Sequence, residues 1–222
     1  MAVRLSQSLV LLSEGDADKE FLRQLMQARG PFPAFDYPFP NDQLNGKDAF
    51  GQMLHALRGD PLGFSRLKGV LIVADSGDDP NATFAHISAQ IRGATGYPVP
   101  AAALQLARAG NVPAISVMLL PDEQTPGSLE SIYVEDLLAR HQWLRACVDT
   151  FLLCGEGRPA TWSAEKRAKA TFQSIVAAIH EDDPSRAASK VFRNPPVVDI
   201  QAPCFAHVAD RLRRFCDAVE AP

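Results

Sequence analysis

Three hydrophobic runs place the strongest constraint on the fold of this chain, because an acidic residue follows each of them. The runs are residues 9–12, 70–74 and 115–120, and the acids are Glu14, Asp75 and Asp122. Short, continuous apolar runs are typical of strands that are buried on both faces of a parallel sheet. The carboxyl ends of parallel strands meet at one edge, where α/β proteins bind ligands. Carboxylates that converge there repel one another unless a cation lies between them.

The alternation of strand and helix patterns over the first 155 residues predicts an α/β fold with a doubly wound, mostly parallel sheet. We expect one domain over residues 1–222, with a core at about 8–155 and a helical portion at about 156–220. Strands are predicted at 9–13, 68–74 and 112–120, with a fourth short one at 151–154. Four prolines in residues 31–40 indicate an extended connection or an edge strand. Residues 93–110 and 182–203 show no clear pattern.

The composition is that of an ordinary globular protein, with 222 residues of which 46% are hydrophobic and 22% charged. No run is long enough to span a bilayer, and the N-terminus lacks a signal-peptide pattern, so no membrane partner is expected. The four cysteines have no CxxC spacing, which predicts reduced thiols and a cytoplasmic location. The motifs GxxxxGK[ST], HExxH, GxSxG and GxGxxG are absent from the sequence.

The net charge of −4 does not indicate nucleic-acid binding, but the charge is unevenly distributed. Residues 158–193 carry a net charge of +3, which leaves −7 for the rest of the chain. A basic C-terminal segment on an acidic body is compatible with a phosphate-containing ligand. A solvated helix face accounts for the same pattern equally well.

Three acids follow the first strand. Glu14 ends the strand, Gly15 allows a sharp turn, and a helix is predicted to begin at once. Asp16 and Asp18 have the positions of a helix cap and of first-turn acids, so we interpret them as capping residues. Glu14 lies before the cap at the strand edge and is the better candidate for a metal ligand.

A second acidic group follows the next strand. Asp75, Asp78 and Asp79 come directly after a Leu-Ile-Val run, and their hard oxygens suit Mg²⁺ or Mn²⁺. Asp79 precedes a proline and is also a predicted N-cap. A polar loop between strand and helix is the alternative interpretation, and the expected proximity of Glu14 favours the metal site.

The remaining candidates lie on predicted helices. Glu130 falls in a first turn capped by Ser128, where acids also occur for dipole reasons alone. Lys166 and Lys169 are one turn apart on a later helix, where either could neutralise a phosphoryl oxygen or simply face solvent. Glu135 and Asp136 are expected at the surface.

These segments together resemble the TOPRIM superfamily. The resemblance rests on Glu14-Gly15-x-x-Asp18 after one strand, the aspartates after a second, and Gly127-x-Leu129-Glu130 after a third. It runs from about residue 9 to 215 and is closest to small stand-alone bacterial TOPRIM-like proteins of unknown function, related to the TOPRIM domain of OLD-family nucleases.

The resemblance implies a catalytic glutamate at Glu14, metal ligands at and near Asp75, and a further acid at Glu130. In the wider superfamily such sites bind Mg²⁺ and act on phosphodiesters. This sequence departs from the family's Asp-x-Asp pattern, because the second position is Gly77. Asp78 or Asp79 would have to substitute for the missing acid.

The sequence is therefore compatible with three functions. The first is a Mg²⁺-dependent, nuclease-like enzyme whose metal ligands are Glu14, Asp75, Asp78, Asp79 and Glu130, with catalytic roles for Glu14, Lys166 and Lys169. Its partner would be nucleic acid or another phosphate-containing ligand. The second is a binding or regulatory module with a degraded metal site. The third is a receiver-like phosphoacceptor that uses Asp75.

Overall fold

In the computed structural model the chain adopts an α/β fold built on a parallel sheet. The structure describes residues 3–154, 161–192 and 196–221. Within these residues four strands form one sheet in the order β2-β1-β3-β4. The strands are β1 (Leu9–Ser13), β2 (Phe35–Phe39), β3 (Gly69–Asp75) and β4 (Ala114–Leu120). The helices are α1 (Asp16–Arg29), α2 (Phe50–Leu57), α3 (Pro61–Phe64), α4 (Pro80–Gly93), α5 (Leu129–Arg140), α6 (Arg145–Leu153), α7 (Ala164–Ile179) and α8 (Ala206–Glu220).

The central strands are continuously apolar because both faces of the sheet are covered by helices. In β3, Leu71 and Val73 pack into a core formed with α1, α5, α6, α7 and α8. Val70 and Ile72, which point the opposite way, pack into a second core with α2 and α4. Successive side chains of a strand point to opposite faces, so each hydrophobic run contributes to both cores. The predicted doubly wound sheet with a helical C-terminal region is confirmed.

The proline-rich segment forms the edge of the sheet. Strand β2 pairs with β1 in parallel, with a register irregularity between Val10 and Leu12. Phe35 and Phe39 are buried at its two ends. A strand bonded on one side only tolerates proline, which has no backbone donor for a second ladder. The edge-strand interpretation of residues 31–40 is therefore confirmed.

The predicted strand at residues 151–154 is wrong, because this segment belongs mainly to α6. Val148 and Leu152 are buried at a helical spacing of four residues, whereas Phe151 and Leu153 are 55% and 81% exposed. A short apolar run cannot distinguish strand from helix without its flanking periodicity. No helix in the described part of the chain is both long and apolar enough to cross a bilayer.

The C-terminal helix holds the segment that follows β4. Arg211 on α8 is only 6% exposed. Its guanidinium donates hydrogen bonds to the carbonyl oxygens of Leu119 (2.5 Å) and Pro121 (2.9 Å), and it forms an ion pair with Glu123. A buried guanidinium needs several acceptors, and the turn after β4 supplies them. The last helix thus fixes the path of the chain from β4 into α5.

Candidate functional site

The candidate site lies where the order of the strands reverses. The chain passes from β1 to β2 on one side of β1, and β3 lies on the other side. In open α/β sheets the crevice at such a switch point, beyond the carboxyl ends of the strands, is the usual ligand site. Glu14 directly follows β1, Asp75 ends β3, and both line one cavity of about 450 Å³. The first two acids singled out in the sequence therefore share a site.

Asp75 is the most firmly held acid of the cavity. Its side chain is 5% exposed. One carboxylate oxygen, Oδ1, accepts a hydrogen bond from the backbone N–H of Leu129 at 2.9 Å, and the other, Oδ2, accepts one from the ammonium of Lys169 at 2.9 Å. Asp75 thereby connects the end of β3 with the start of α5 and with α7. With both oxygens engaged and little exposure, it is poorly placed as a phosphoacceptor.

The two candidate lysines of α7 have different environments. Lys169 lines the cavity, and its ammonium also contacts Glu165 Oε1 at 2.6 Å, one turn earlier on the helix. Lys166 is exposed and does not line the cavity. The buried stripe of α7 accounts for the difference, because Lys169 lies three residues before the buried Phe172 and so faces the sheet. The structure brings Lys169 into the site and leaves Lys166 outside it.

Glu130 lines the same cavity from the first turn of α5. The predicted cap is confirmed, since α5 begins at Leu129 with Ser128 as its N-cap residue. Glu130 is 5% exposed, and its Oε2 accepts a hydrogen bond from Ser128 Oγ at 2.7 Å. The partial positive charge of a helix N-terminus favours a carboxylate at this position.

Glu14 has an unsatisfied oxygen. Its Oε2 atom is buried, and among the described residues it has no hydrogen-bond partner. The ammonium of Lys47 lies 3.9 Å from it, within ion-pair range but beyond hydrogen-bond distance. The backbone N–H of Gly46 donates to the carbonyl of Glu14 at 2.8 Å, which ties residues 40–46 to the end of β1 as one wall of the cavity. The sequence does not predict that Lys47 approaches Glu14, because the two residues lie in separate segments of the chain.

Asp18 lines the cavity, although the sequence predicts only a capping role for it. Gly15, rather than the predicted Asp16, is the N-cap residue of α1. Asp18 Oδ2 accepts a hydrogen bond from the Gly15 N–H at 3.0 Å, so the capping role of Asp18 is real. Its side chain is nevertheless buried and lines the cavity. Asp16 is exposed at the rim and forms an ion pair with Lys19 at 2.6 Å.

The acids of the cavity raise one another's pKa. Burial, followed by repulsion from Asp75, raises the pKa of Glu14 and of Glu130. Burial also raises the pKa of Asp75, although the ion pair with Lys169 opposes the shift. The pKa of Asp18 is raised most clearly, by burial and then by its three acidic neighbours. Among the described residues, the carboxyl groups that line the cavity outnumber its one lysine.

Behind the acids lies an unpartnered phenol. Tyr133 on α5 is fully buried, and its hydroxyl has no hydrogen-bond partner among the described residues. Burial raises the pKa of Tyr133 well above its ordinary value, and the charges of Glu130, Asp18 and Asp75 raise it further.

Gly77 is the residue at which the expected resemblance to TOPRIM proteins would require a second aspartate. Its φ of +66° is in the left-handed region, which favours glycine. Gly77 and Gly127 exchange two backbone hydrogen bonds, at 2.9 and 2.7 Å, which join the turn after β3 to the turn before α5. The backbone conformation and this bridge account for a glycine at a position where the pattern has an acid.

Asp78 and Asp79 do not replace the missing acid. Asp78 is exposed, and Asp79 caps α4 by accepting hydrogen bonds from the N–H groups of Asn81 (2.9 Å) and Ala82 (3.1 Å). Neither lines the cavity, so the expectation that they are metal ligands is not supported by their placement. The expected surface acids Glu135 and Asp136 form ion pairs with arginines outside the cavity.

The donor chemistry of the cavity fits a hard divalent cation in part. All candidate donors are carboxylate oxygens, and Glu14 Oε2, which has no hydrogen-bond partner among the described residues, could accept a cation. However, within the described ranges no group of three or more His, Cys, Asp or Glu residues is close enough to hold a metal ion. Mg²⁺ retains several waters and needs few direct protein ligands. The site therefore fits a largely hydrated ion better than a fully protein-ligated one.

The fold and the cavity define an α/β protein with an acidic site at the carboxyl edge of a parallel sheet. The chain belongs to the family described as "Protein of unknown function (DUF3226)", whose family model matches residues 8–217. The match includes β1, α1, β3, α5 and α7, which carry or directly precede the acids and Lys169 of the cavity. No curated protein and no solved structure matches the chain.

Proposed function

We propose that this chain is a Mg²⁺- or Mn²⁺-dependent enzyme that acts on phosphodiesters, with a nuclease-like activity. The observation that carries the proposal is the convergence of carboxylates on one cavity at the switch point of the sheet. Asp16 and Asp42 line it as exposed residues, and the other four acids are more buried: Glu14, Asp18, Asp75 and Glu130. An acidic cavity repels phosphate unless additional positive charge is present, and a divalent ion is a common source of that charge. The resemblance to TOPRIM proteins supports the same chemistry.

Each residue of the cavity would have a role that follows from its position. Glu14 and Asp75 would hold the ion, and Glu130 would contact it through bound water. When bound, the ion would neutralise phosphate charge and make a bound water more acidic. Glu14 would serve either as a ligand of the ion or as a general base that accepts a proton from the attacking water. Lys169 would donate to a phosphoryl oxygen at the cavity wall, so nucleic acid or another phosphate-containing ligand is the expected partner.

A binding or regulatory module without turnover is the second candidate. Gly77 cannot supply the second acid of the Asp-x-Asp pattern, and Asp79 is engaged as a cap. Lys169 already neutralises Asp75 in part. These observations favour a site that binds a cation but lacks a complete set of ligands for catalysis.

Metal binding is tested by titrating the protein with Mn²⁺ in a calorimeter. We expect binding to wild type and a loss of at least about tenfold in affinity for Asp75→Asn, in line with the loss of one oxygen ligand. Asp78→Asn is the matched control, because it removes the same charge from an exposed position of the same loop. Equal affinities in wild type and Asp75→Asn would refute the metal site.

Activity is tested by nicking of supercoiled plasmid DNA in the presence of Mg²⁺ or Mn²⁺. Removing a general base typically slows a reaction by about 10²–10⁴-fold, so Glu14→Gln should abolish nicking while Asp78→Asn retains it. If wild type binds Mn²⁺ but does not cleave DNA, RNA or a small phosphodiester, the second candidate replaces the first.

A further inference from the structure

Lys169 occupies the oxygen of Asp75 that a metal ion would need. Asp75 Oδ1 faces the start of α5 and accepts the Leu129 N–H, whereas Oδ2 faces the cavity and is held by the ammonium of Lys169 at 2.9 Å. We propose that Lys169 and the divalent ion exchange at this oxygen, so that the ion binds Asp75 only after Lys169 has left it. This inference rests on the proposed function, because it concerns the same site.

The two partners of this contact differ in their freedom to move. The side chain of Asp75 is 5% exposed and is fixed from both sides, whereas that of Lys169 is 43% exposed. A lysine has a flexible four-carbon stem and a compact charge, so it can change partners at small cost. When a cation enters the cavity, Lys169 is therefore the group that moves.

Glu165 provides a second position for the displaced ammonium. It precedes Lys169 by one helical turn, and its Oε1 already lies 2.6 Å from Lys169 Nζ. A Glu–Lys pair at this spacing is favourable on a helix without any other contact. Lys169 would thus remain at the wall of the cavity after it leaves Asp75, where its charge faces an incoming phosphate.

Glu14 offers a second acceptor in the same cavity. Its Oε2 atom is buried without a hydrogen-bond partner within the described part of the chain, and the ammonium of Lys47 lies 3.9 Å away. Lys169 does not bond this oxygen, so a cation beside Asp75 could reach Glu14 without displacing a hydrogen bond.

The exchange is tested by measuring Mn²⁺ affinity of Lys169→Met by calorimetry, in the full chain. Removing a competing cation should tighten binding by about tenfold, within the usual range of coupling between sites. Lys166→Met is the matched control, because it removes the same charge from the exposed side of α7 and should change the affinity less than about twofold. Lys169→Gln keeps a hydrogen-bond donor for Asp75 and should also bind Mn²⁺ more tightly, which covers the case that the methionine variant folds poorly.

A second readout does not involve affinity. Without metal, Lys169→Met should unfold at a lower temperature than wild type, and saturating Mn²⁺ should raise its unfolding temperature more than that of wild type. Weaker binding in both Lys169 variants, or the same affinity as Lys166→Met, would overturn the exchange and leave the proposed function standing. Absence of Mn²⁺ binding in wild type and in every variant would overturn both.

Discussion

Replacing Asp18 with asparagine should stabilise the metal-free protein at pH 7. Asp18 is 7% exposed, and its pKa is raised well above 3.8 by burial and by repulsion from Asp75, Glu130 and Glu14. Asparagine has nearly the same shape, and its amide oxygen can still accept the hydrogen bond from the Gly15 N–H. The substitution therefore removes the ionisable group and keeps the cap.

The magnitude follows from two opposing effects. At an effective dielectric constant of about 20, two like charges repel by roughly 4 kcal/mol at about 4 Å, and by proportionately less at larger separations. Exchanging a charge-assisted hydrogen bond for a neutral one costs about 1 kcal/mol. Relief of even one such repulsion exceeds this cost, so we expect the free energy of unfolding to rise by about 1 kcal/mol. For a chain of this size that corresponds to about 2–4 °C in Tm.

The pH dependence of this gain has a defined sign. A carboxyl group whose pKa is higher in the folded than in the unfolded protein stabilises the fold fully below the unfolded value, 3.8, and loses this contribution as pH rises through the folded value. Wild type therefore loses stability relative to the asparagine variant as pH rises. The difference between the two proteins should be small at pH 4 and largest at pH 7.

The assay is urea unfolding followed by circular dichroism at both pH values, with a chelator present. Asp16→Asn is the control, since Asp16 lies in the same helical turn but its side chain is 71% exposed, and its effect should stay within about 0.5 kcal/mol. A destabilised Asp18→Asn protein at pH 7, or a difference that does not change with pH, would show that Asp18 is not repelled by its neighbours.

Three other substitutions or reagents test the rest of the structure. Arg211→Met should lower the free energy of unfolding by about 3 kcal/mol, because it removes the cation paired with Glu123 and a donor to the carbonyl groups of Leu119 and Pro121, the second of which still contacts His207; a loss below about 1 kcal/mol in urea unfolding would contradict this role. Gly77→Ala should cost about 1–2 kcal/mol, since its φ of +66° strains any residue with a Cβ atom, and unchanged stability would refute the argument. A thiol reagent should modify the exposed Cys147 and Cys154 rapidly in the folded protein and the buried Cys216 only after unfolding, so rapid loss of all thiols would contradict the fold around α8.

The sheet is predictable from the sequence because its central strands are buried on both faces, and a short apolar run that ends in acid fits neither an amphipathic helix nor a loop. The shorter run at residues 151–154 misleads, since its helical period becomes visible only when Val148 is included. The depth of Asp18 cannot be predicted, because a first-turn acid has the same sequence signal whether it is buried or exposed. The approach of Lys47 to Glu14 depends on how residues 40–46 fold over the sheet edge, which local sequence does not specify.

The glycine bridge between the turns after β3 and β4 has a consequence for how this scaffold tolerates change. Because the Gly77 and Gly127 backbones are bonded to each other, the two turns have correlated lengths, and an inserted residue in either one would shift Asp75 relative to Glu130. Residues 41–45 on the opposite rim are mostly exposed, and length variation there would alter the cavity entrance while leaving that pair in register. Homologous chains with different ligands should therefore differ in length within the segment that corresponds to residues 41–45. The two turns that contain Gly77 and Gly127 should keep their lengths.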